Sequence, residues 1–355
     1  MVEIIVNLKE RNYPIKIGRS FAFEENFKEF GCDKCAIITD SNVEKIYTDD
    51  LQKKLNQEEI ISEIFSFPAG EKSKIFSTAI DIGRKMIKSG FDRNSLIIAL
   101  GGGVVGDLAG FLASIYERGI KFIQIPTTLL AQVDSSIGGK TGVDVPEGKN
   151  LFGTFYQPQA VLTDIDFLAT LPEKEIKNGL AESIKYGMIK DAGLFEFLKN
   201  NHEKLGEKEL TELVEKAVKI KAAIASVDEK ESGERTILNY GHTVGHAVET
   251  AENYKISHGE AVALGMVYEG KISNLLGLLS AADLKRQNEL IRLIGLPVNY
   301  RGNYDKLIEI MKRDKKSQSG APRFVLPVKI GGVKNENGKF AFDVDEGIIK
   351  KALEN

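Results

Sequence analysis

"LIIALGGGVVGDLAGFLASIYERGIKFIQIPTTLLAQVDSSIGGKTGVDVPEGKN", from Leu96 to Asn150, is the stretch whose reading decides the fold. A short apolar run, Leu96 to Leu100, reads as a buried strand ended by glycines. Gly101, Gly102 and Gly103 make a turn, and Gly106 and Asp107 follow as an apolar helix starts. Glycines at such a turn let backbone N–H groups approach a phosphate, and the helix N-terminus adds positive partial charge. Gly101, Gly103 and Gly106 match G-x-G-x-x-G. Two features depart from the standard form: several strands precede the turn, and the next strand, through Phe122, Ile123 and Gln124, carries no acid for a ribose. A phosphate-facing turn in an α/β sheet remains, and a plain strand-to-helix turn would show the same glycines. The second cluster, "DSSIGGKTG", is no P-loop. Asp134 stands where the first glycine belongs, and "TTLLAQV" ahead of it reads as a helical turn rather than a strand.

Working outward, "VEIIVNL" and "YPIKIG" predict a hairpin with Asn12 in its turn. A polar helix-like segment covers Phe21 to Phe30. "CAIITD" is a strand ending in Asp40, with Ser41 as N-cap of the helix that follows. "SEIFSF" is a strand, "PAGEKSK" a loop, and "IFSTAIDIGRKMIKSG" a helix closed by Gly90. "KFIQIP" and "AVLTD" are further strands, with a loop between them. This alternation predicts a mostly parallel sheet with helices on its faces. Ligands of such sheets gather beyond the carboxyl ends of the strands, where Asp40, Glu71, Gly102, Thr127 and Asp164 fall. Past Leu171-Pro172 helical patterns dominate, until a basic loop, "KRDKKSQSGAPR", leads to a closing strand and helix. We therefore expect a Rossmann-like nucleotide-binding α/β domain over residues 1–171 and an all-α domain over 172–355.

The 355 residues include 48 Lys plus Arg against 51 Asp plus Glu, a net charge of −3. No global field draws nucleic acid or an anionic membrane. The longest apolar stretch is broken by Asp107 and too short to span a bilayer. "MVEIIVNLKE" lacks the cationic start of a signal peptide, so the cytoplasm is the expected compartment. Cys32 and Cys35 are spaced C-x-x-C but precede a strand rather than open a helix, and no nearby His or Cys completes a zinc site. They read as two small residues at a strand entrance.

Three of the four histidines fall within "NYGHTVGHAVETAENYKISHG". His242 and His246, at i and i+4, share a helix face, and His258 follows a loop. The cluster points to a metal or proton-transfer site. Thr243 after His242 rules out the H-E-x-x-H protease motif. Carboxylates are the other common ligand, and "GLAESIKYG" offers Glu182 with Lys185 at i+3, a spacing that more often makes a surface ion pair. Arg118, Lys140, Lys149, Lys221, Arg235, Lys315 and Lys316 sit in glycine-rich or apolar settings. Converged, they would suit phosphate and carboxylate groups; singly, each is a solvated charge.

At these residues the chain resembles the 3-dehydroquinate synthases over almost its full length. The resemblance rests on "TDSNV", "GEKSK", "GGGVVGDLAGF", "RGIKFIQIPTTLLAQVDSSIGGKTGVD", "GKNLFGTFYQP", "LAESIKYG", "RTILNYGHTVGHAVE", "SHGEAV" and "RDKK". Tyr240 fills a slot expected to vary among bulky apolar residues. The resemblance implies NAD and one divalent metal, zinc or cobalt, in a cleft between the two domains. The implied substrate is 3-deoxy-D-arabino-heptulosonate 7-phosphate, converted to 3-dehydroquinate and phosphate. An alcohol is oxidised by NAD, phosphate is eliminated, the hydride returns, the ring opens, and an intramolecular aldol step closes the carbocycle. The implied metal ligands are Glu182, His242 and His258, which leaves His246 as substrate contact and proton-transfer residue. Asp134, Lys140, Lys149, Asn150, Lys185, Lys221, Arg235 and Asn239 are implied substrate contacts, as is one of Lys315 and Lys316. Arg118 is implied to act from a neighbouring subunit of a homodimer. The implied NAD site comprises Asp40, Asn42, Glu71, Lys74, Gly102, Gly103, Val104, Val105, Gly106, Asp107, Thr127, Thr128, Phe167, Leu168 and Thr170, with Lys140 and Lys149. Related sugar-phosphate cyclases and metal-dependent polyol dehydrogenases share the architecture. A nucleotide-binding regulator is the reading of a different class, and such a binder needs no open metal site.

Overall fold

The computed structural model describes residues 1–20, 22, 24–313 and 322–354. These form two units: residues 1–172 with 221–229, and residues 173–220 with 230–355. The first begins with strands β1 (Val2–Val6) and β2 (Tyr13–Gly18), antiparallel with Val2 opposite Ile17. Asn12 shapes their turn, its Oδ1 accepting the Leu8 N–H at 2.6 Å. Then follow β3 (Lys34–Asp40), helix α1 (Glu44–Gln57), β4 (Ile61–Phe67), α2 (Phe76–Lys88), β5 (Leu96–Gly101), α3 (Gly103–Ile115) and β6 (Phe122–Pro126). A hairpin of β7 (Lys140–Val145) and β8 (Gly148–Phe155) precedes the last sheet strand, β9 (Val161–Asp164).

The sheet has seven strands in the order β1-β2-β9-β6-β5-β3-β4, and every pairing but β1·β2 is parallel. β5 lies inside the sheet between β6 and β3, and all six of its residues are buried, as its unbroken apolar run requires for a strand covered on both faces. Helix α3 packs on β5 and on β7. It is clasped on two sides, which explains why it is apolar nearly all round.

The β7–β8 hairpin replaces the loop expected after "TTLLAQV". Within it Gly142 and Gly153 sit directly opposite each other in antiparallel register. A Cβ on Gly153 would lie 2.3 Å from the Thr141 carbonyl oxygen, so the pair allows a backbone approach that no side chain permits. Two other expectations change. Ser41 is not the cap of α1: its Oγ accepts the Ala69 N–H, and Asp40 Oδ1 takes the Asn42 and Val43 N–H groups instead. The segment expected as helix-like over Phe21 to Phe30 contributes a single 3₁₀ turn, Phe27–Phe30; Phe21 and Phe23 lie outside the described residues.

The second unit holds α4 (Glu173–Ile189), α5 (Ala192–Asn201), α7 (His242–Ala251), α8 (His258–Leu275), α9 (Ala281–Leu293), α10 (Tyr304–Arg313) and α11 (Glu346–Glu354). Helix α6 (Glu207–Val227) supplies residues to both units. The expectation of a helical second domain holds, but four short strands are added where one closing strand was expected. Strands β10 (Arg323–Val325), β11 (Pro327–Lys329), β12 (Gly332–Val333) and β13 (Ala341–Asp343) form two short antiparallel pairs, β10·β13 and β11·β12. Two or three residues each are too few to show a period of two. Helix α8 is buried on nearly every side, against α4, α7, α9 and α11. It is the core on which the metal-ligating candidates are mounted.

Gly153→Ala should destabilise the first unit by about 1–3 kcal/mol, the usual cost of forcing an atom into a packed site. Urea denaturation measures it. An unchanged midpoint would mean that the hairpin shifts without cost and that the glycine pair is not needed.

Candidate active site

Glu182 lies at the middle of α4 and is fully buried. His242 is the first residue of α7, and His258 the first of α8, where Ser257 and Glu260 form a reciprocal capping box. One ligand atom from each of the three lies within 4.8 Å of the others. Glu182 Oε1 is 3.1 Å from His258 Nε2 and 3.4 Å from His242 Nε2. Tetrahedral ligands at about 2.0–2.1 Å from a zinc-like ion stand about 3.3–3.4 Å apart, so these spacings fit such a centre. His242 Nδ1 is 3.1 Å from the Tyr240 carbonyl oxygen. A carbonyl only accepts, so Nδ1 carries the proton and Nε2 presents its lone pair toward Glu182.

Lys185, one turn along α4, is equally buried and ion-paired with Glu182 Oε2. This is no surface pair. Burial would raise the Glu182 pKa, but Lys185 and His242 outweigh it and hold the carboxyl well below its ordinary value. Burial and Lys185 together lower the His242 pKa. Burial also works against a charged His258, yet Glu182 and Glu249 outweigh it and raise its pKa to about 10. His246 completes the group. Its ring centroid lies 5.3 Å from that of His242 and 6.4 Å from that of His258. The shared face expected of His242 and His246 is thus real, but the third donor comes from His258 on another helix. Arg235 and Asn239 lie on a 3₁₀ turn, Glu234–Asn239, that runs into α7. Arg235 is fully buried, and Asn239 donates to Glu231 Oε1 at 2.7 Å.

In the first unit the β5–α3 turn has Gly102 as the helix N-cap, with no side chain capping the first turn of α3. The N–H groups there are available to an anion. Beside it Lys74, 4% exposed, lies 3.1 Å from Glu71, 3.2 Å from Asp107 and 3.8 Å from Asp144. Burial would lower the Lys74 pKa, but the three carboxylates raise it above the ordinary lysine value. Burial raises that of Asp107 to about 6 against the pull of Lys74. Lys149 stands 3.6 Å from Glu71. Thr127 donates its N–H to the Gly101 carbonyl, and Thr128 Oγ1 accepts the Ala131 N–H. Tyr47 stacks edge-on against Phe167 and its hydroxyl meets Thr170 Oγ1 at 2.5 Å. Lys221 is buried and donates to Asp134 Oδ1 at 2.6 Å.

The structure therefore brings Glu71, Lys74, Asp107 and Lys149 together, pairs Asp134 with Lys221, and gathers Glu182, Lys185, His242, His246 and His258. Asp40 and Asn42 share a turn at the end of β3. Val104 lines the start of α3, while Val105, Gly106 and Leu168 are buried in packing. Lys140, Asn150 and Arg118 are exposed; the Asn150 backbone N–H donates to Asp144 Oδ1 at 2.8 Å, beside Lys74. Lys315 and Lys316 lie outside the described residues. Sequence reasoning missed Asp144, Glu231, Glu249 and Glu269. None of these four acids carries a local signal; the S-x-x-E capping box at Ser257 and Glu260 marks only the start of α8.

The two-unit architecture and the three-donor set define a class. A structure of 2-deoxy-scyllo-inosose synthase complexed with carbaglucose-6-phosphate, NAD+ and Co2+ matches with TM-score 0.91 and 28% identity, over 99% of both chains. So does 2-epi-5-epi-valiolone synthase from Streptomyces hygroscopicus with NAD+ and Zn2+ bound, at TM-score 0.89 and 30% identity, over 98% of this chain and 97% of that one. An iron-containing alcohol dehydrogenase from Thermococcus thioreducens shares the fold, at TM-score 0.68 and 15% identity, over 96% of this chain and 98% of that one. Within this cyclase-like class, the family model for the 3-dehydroquinate synthase N-terminal region matches residues 64–178, and that for the C-terminal region residues 179–317. The 3-dehydroquinate synthase of Thermodesulfovibrio yellowstonii is 44% identical over 99% of both chains. That of Dictyoglomus thermophilum is 46% identical over 99% of this chain and 98% of its own. The chain belongs to the 3-dehydroquinate synthase family.

A divalent ion held by His258 would have to displace its proton. Because its pKa lies near 10, metal binding at pH 7–8 should release one proton, and apparent affinity should rise about tenfold per pH unit. The sign follows from the raised pKa: lower pH fills His258 with a proton and weakens metal binding. Titration calorimetry of EDTA-treated protein with zinc, in buffers of different ionisation enthalpy, counts the proton. A count near zero would contradict the placement of His258 in the ligand set.

Proposed function

We propose that the chain converts 3-deoxy-D-arabino-heptulosonate 7-phosphate into 3-dehydroquinate and phosphate, as an NAD- and metal-dependent carbon–oxygen lyase of the cytoplasm. One observation carries the reading: Glu182, His242 and His258 converge at metal-ligand spacing, in a chain that belongs to this family. Three donors leave a position open for substrate, as catalytic sites do and structural ones do not. Glu182, His242 and His258 would hold the metal, zinc or cobalt, and the turn at Gly102 with Glu71, Lys74 and Asp107 would hold NAD. When bound, NAD supplies a hydride acceptor that is restored within the cycle, and the metal supplies Lewis acidity.

The chain's own residues divide the remaining work. Lys185, Lys221 and Arg235 are buried cations, suited to fix the carboxylate and phosphate of the substrate. Lys149, Asn150, Lys140 and Asn239 are assigned to the same substrate. His246, beside both ligand rings but outside the donor set, is assigned to move the proton of the reacting substrate hydroxyl. Asp134 holds Lys221 in place through their 2.6 Å contact.

The redox step cancels over the cycle, so catalytic amounts of NAD should support continuous phosphate release from the heptulosonate phosphate. Steady accumulation of one NADH per substrate would favour the polyol dehydrogenase reading. Turnover of a different sugar phosphate alone would favour another cyclase. His242→Ala should lose metal and activity together, whereas His246→Ala should keep the metal and turn over slowly. Elemental analysis beside the phosphate assay decides the pair; metal loss from His246→Ala with retention in His258→Ala would reverse the two roles.

The working unit in this proposal is a homodimer. Glu117 and Arg118 both adopt positive φ, 48° and 68°, a strained turn that presents Arg118 outward. Ile115 at the end of α3, and Leu151, Phe152 and Phe155 on β8, are exposed apolar side chains on elements that pack together, with Phe152 57% exposed. A second copy covering them would let Arg118 serve the neighbouring site. Arg118→Ala and His246→Ala dimers should each be nearly inactive. Co-refolded in equal amounts, about half the dimers are mixed and half their sites intact, so about a quarter of wild-type activity should return. Well-mixed, folded dimers without recovery would place Arg118 in its own subunit.

A further inference from the structure

Two buried carboxylates outside the donor set face its histidines. Glu249, 3% exposed, projects from α7 so that its Oε1 is 3.6 Å from His258 Nδ1, on the ring edge opposite Nε2. Glu269, 0% exposed, projects from α8 to the start of α7. Its Oε2 accepts the Gly241 N–H at 2.8 Å and its Oε1 the Val244 N–H at 3.1 Å, so it brackets His242 on both sides. Each helix thus carries one histidine of the set and the carboxylate that faces the other.

We propose that Glu249 and Glu269 are a reciprocal pair of positioning residues, Glu249 setting the ring of His258 and Glu269 setting the backbone that aims His242. The proposal rests on the metal-site reading of Glu182, His242 and His258. A carboxylate beside Nδ1 favours the tautomer that keeps Nε2 free to ligate, and it restrains rotation of the ring. Glu269 acts differently, because it never touches a ring. It satisfies N–H groups that the first turn of α7 leaves without an intrahelical partner, and its negative charge complements the helix dipole there. The two helices have no slack to absorb a poor fit. A Cβ on Gly265 would lie 1.7 Å from the Gly241 carbonyl oxygen, and one on Gly245 3.0 Å from that of Ala261.

The test measures zinc affinity by chelator competition on the full-length, EDTA-treated protein without substrate, beside its melting temperature. Removal of such an outer partner typically weakens metal binding 10–100-fold. Glu249→Ala should show that loss with an unshifted melting temperature, and Glu249→Gln, which still offers an oxygen to His258, should recover part of it. Glu269→Gln, which can still accept one of the two N–H groups, should weaken zinc binding about tenfold or more. If Glu269→Gln does not fold, the shorter acid in Glu269→Asp gives the same readout. Wild-type zinc affinity in folded Glu249→Ala overturns the role of Glu249. A lowered melting temperature with wild-type zinc affinity in the Glu269 variant reduces that residue to a structural cap and overturns its half. Loss of zinc binding in the unsubstituted protein would instead fail the metal-site reading itself.

Discussion

The second unit depends on the burial of Glu182. An isolated carboxylate with no exposure would cost several kcal/mol even after relaxation, unless its oxygens are met by donors of fixed geometry. Lys185 meets one oxygen from the same helix, and the protonated His258 donates from Nε2 to the other at 3.1 Å, with His242 Nε2 3.4 Å from that same oxygen. That requirement fixes the relation of three helices. α4 must place residue 182 where the first residues of α7 and α8 both point inward. Removing Lys185 would leave the charge without its local partner, a change that costs about 3–5 kcal/mol for a buried pair.

Glycine is what makes the convergence sterically possible. Here a Cβ on Gly259 would lie 2.5 Å from the Asn178 carbonyl oxygen, so the start of α8 rests almost on the backbone of α4. The Asn178 side chain accepts the Gly259 N–H at the same point. The close approach and the donor set are therefore one feature seen from two sides. Small residues bring the backbones together, and the longer side chains next to them in sequence, His242 and His258, occupy the space that results.

How much of this was legible in the sequence differs between the two units for a physical reason. The sheet was readable because most parallel strands are short apolar runs ended by a polar or glycine turn, as β3, β5, β6 and β9 are, while β4, at the edge, shows the alternation of a half-exposed strand. The β7–β8 hairpin broke that rule of apolar runs, since its glycines serve a cross-strand approach rather than a turn. Periodicity correctly put His242 and His246 on one face, but it cannot see His258, which lies on a separate helix and arrives only by tertiary packing. The resemblance carried that residue, and geometry brought it to the same place. Glu249 and Glu269 lay beyond both. Each is an ordinary helix-compatible acid in an apolar helix, and its partner is on the other helix.

Charge ties the set to its ligands. Glu182 and Glu249 carry formal negative charges, matched by Lys185 and by His258 in its protonated form, whose pKa of about 10 keeps it so at neutral pH. These four side chains are then formally neutral together, with Glu269 set instead against the N-terminal N–H groups of α7, and neutrality is what an interior of low dielectric tolerates best. A divalent ion that displaces the His258 proton brings two positive charges for the one that leaves, so the loaded group gains a net positive charge. Such a surplus would favour an anion beside the loaded set. The same carboxylates that make His258 reluctant to give up its proton also limit the surplus to a single charge. A neutral residue at Glu249 would leave a more positive centre, at which each added cation costs more to bury. The charges of the candidate set are thus compatible both with a divalent ion and with the anionic substrate of the proposed reaction.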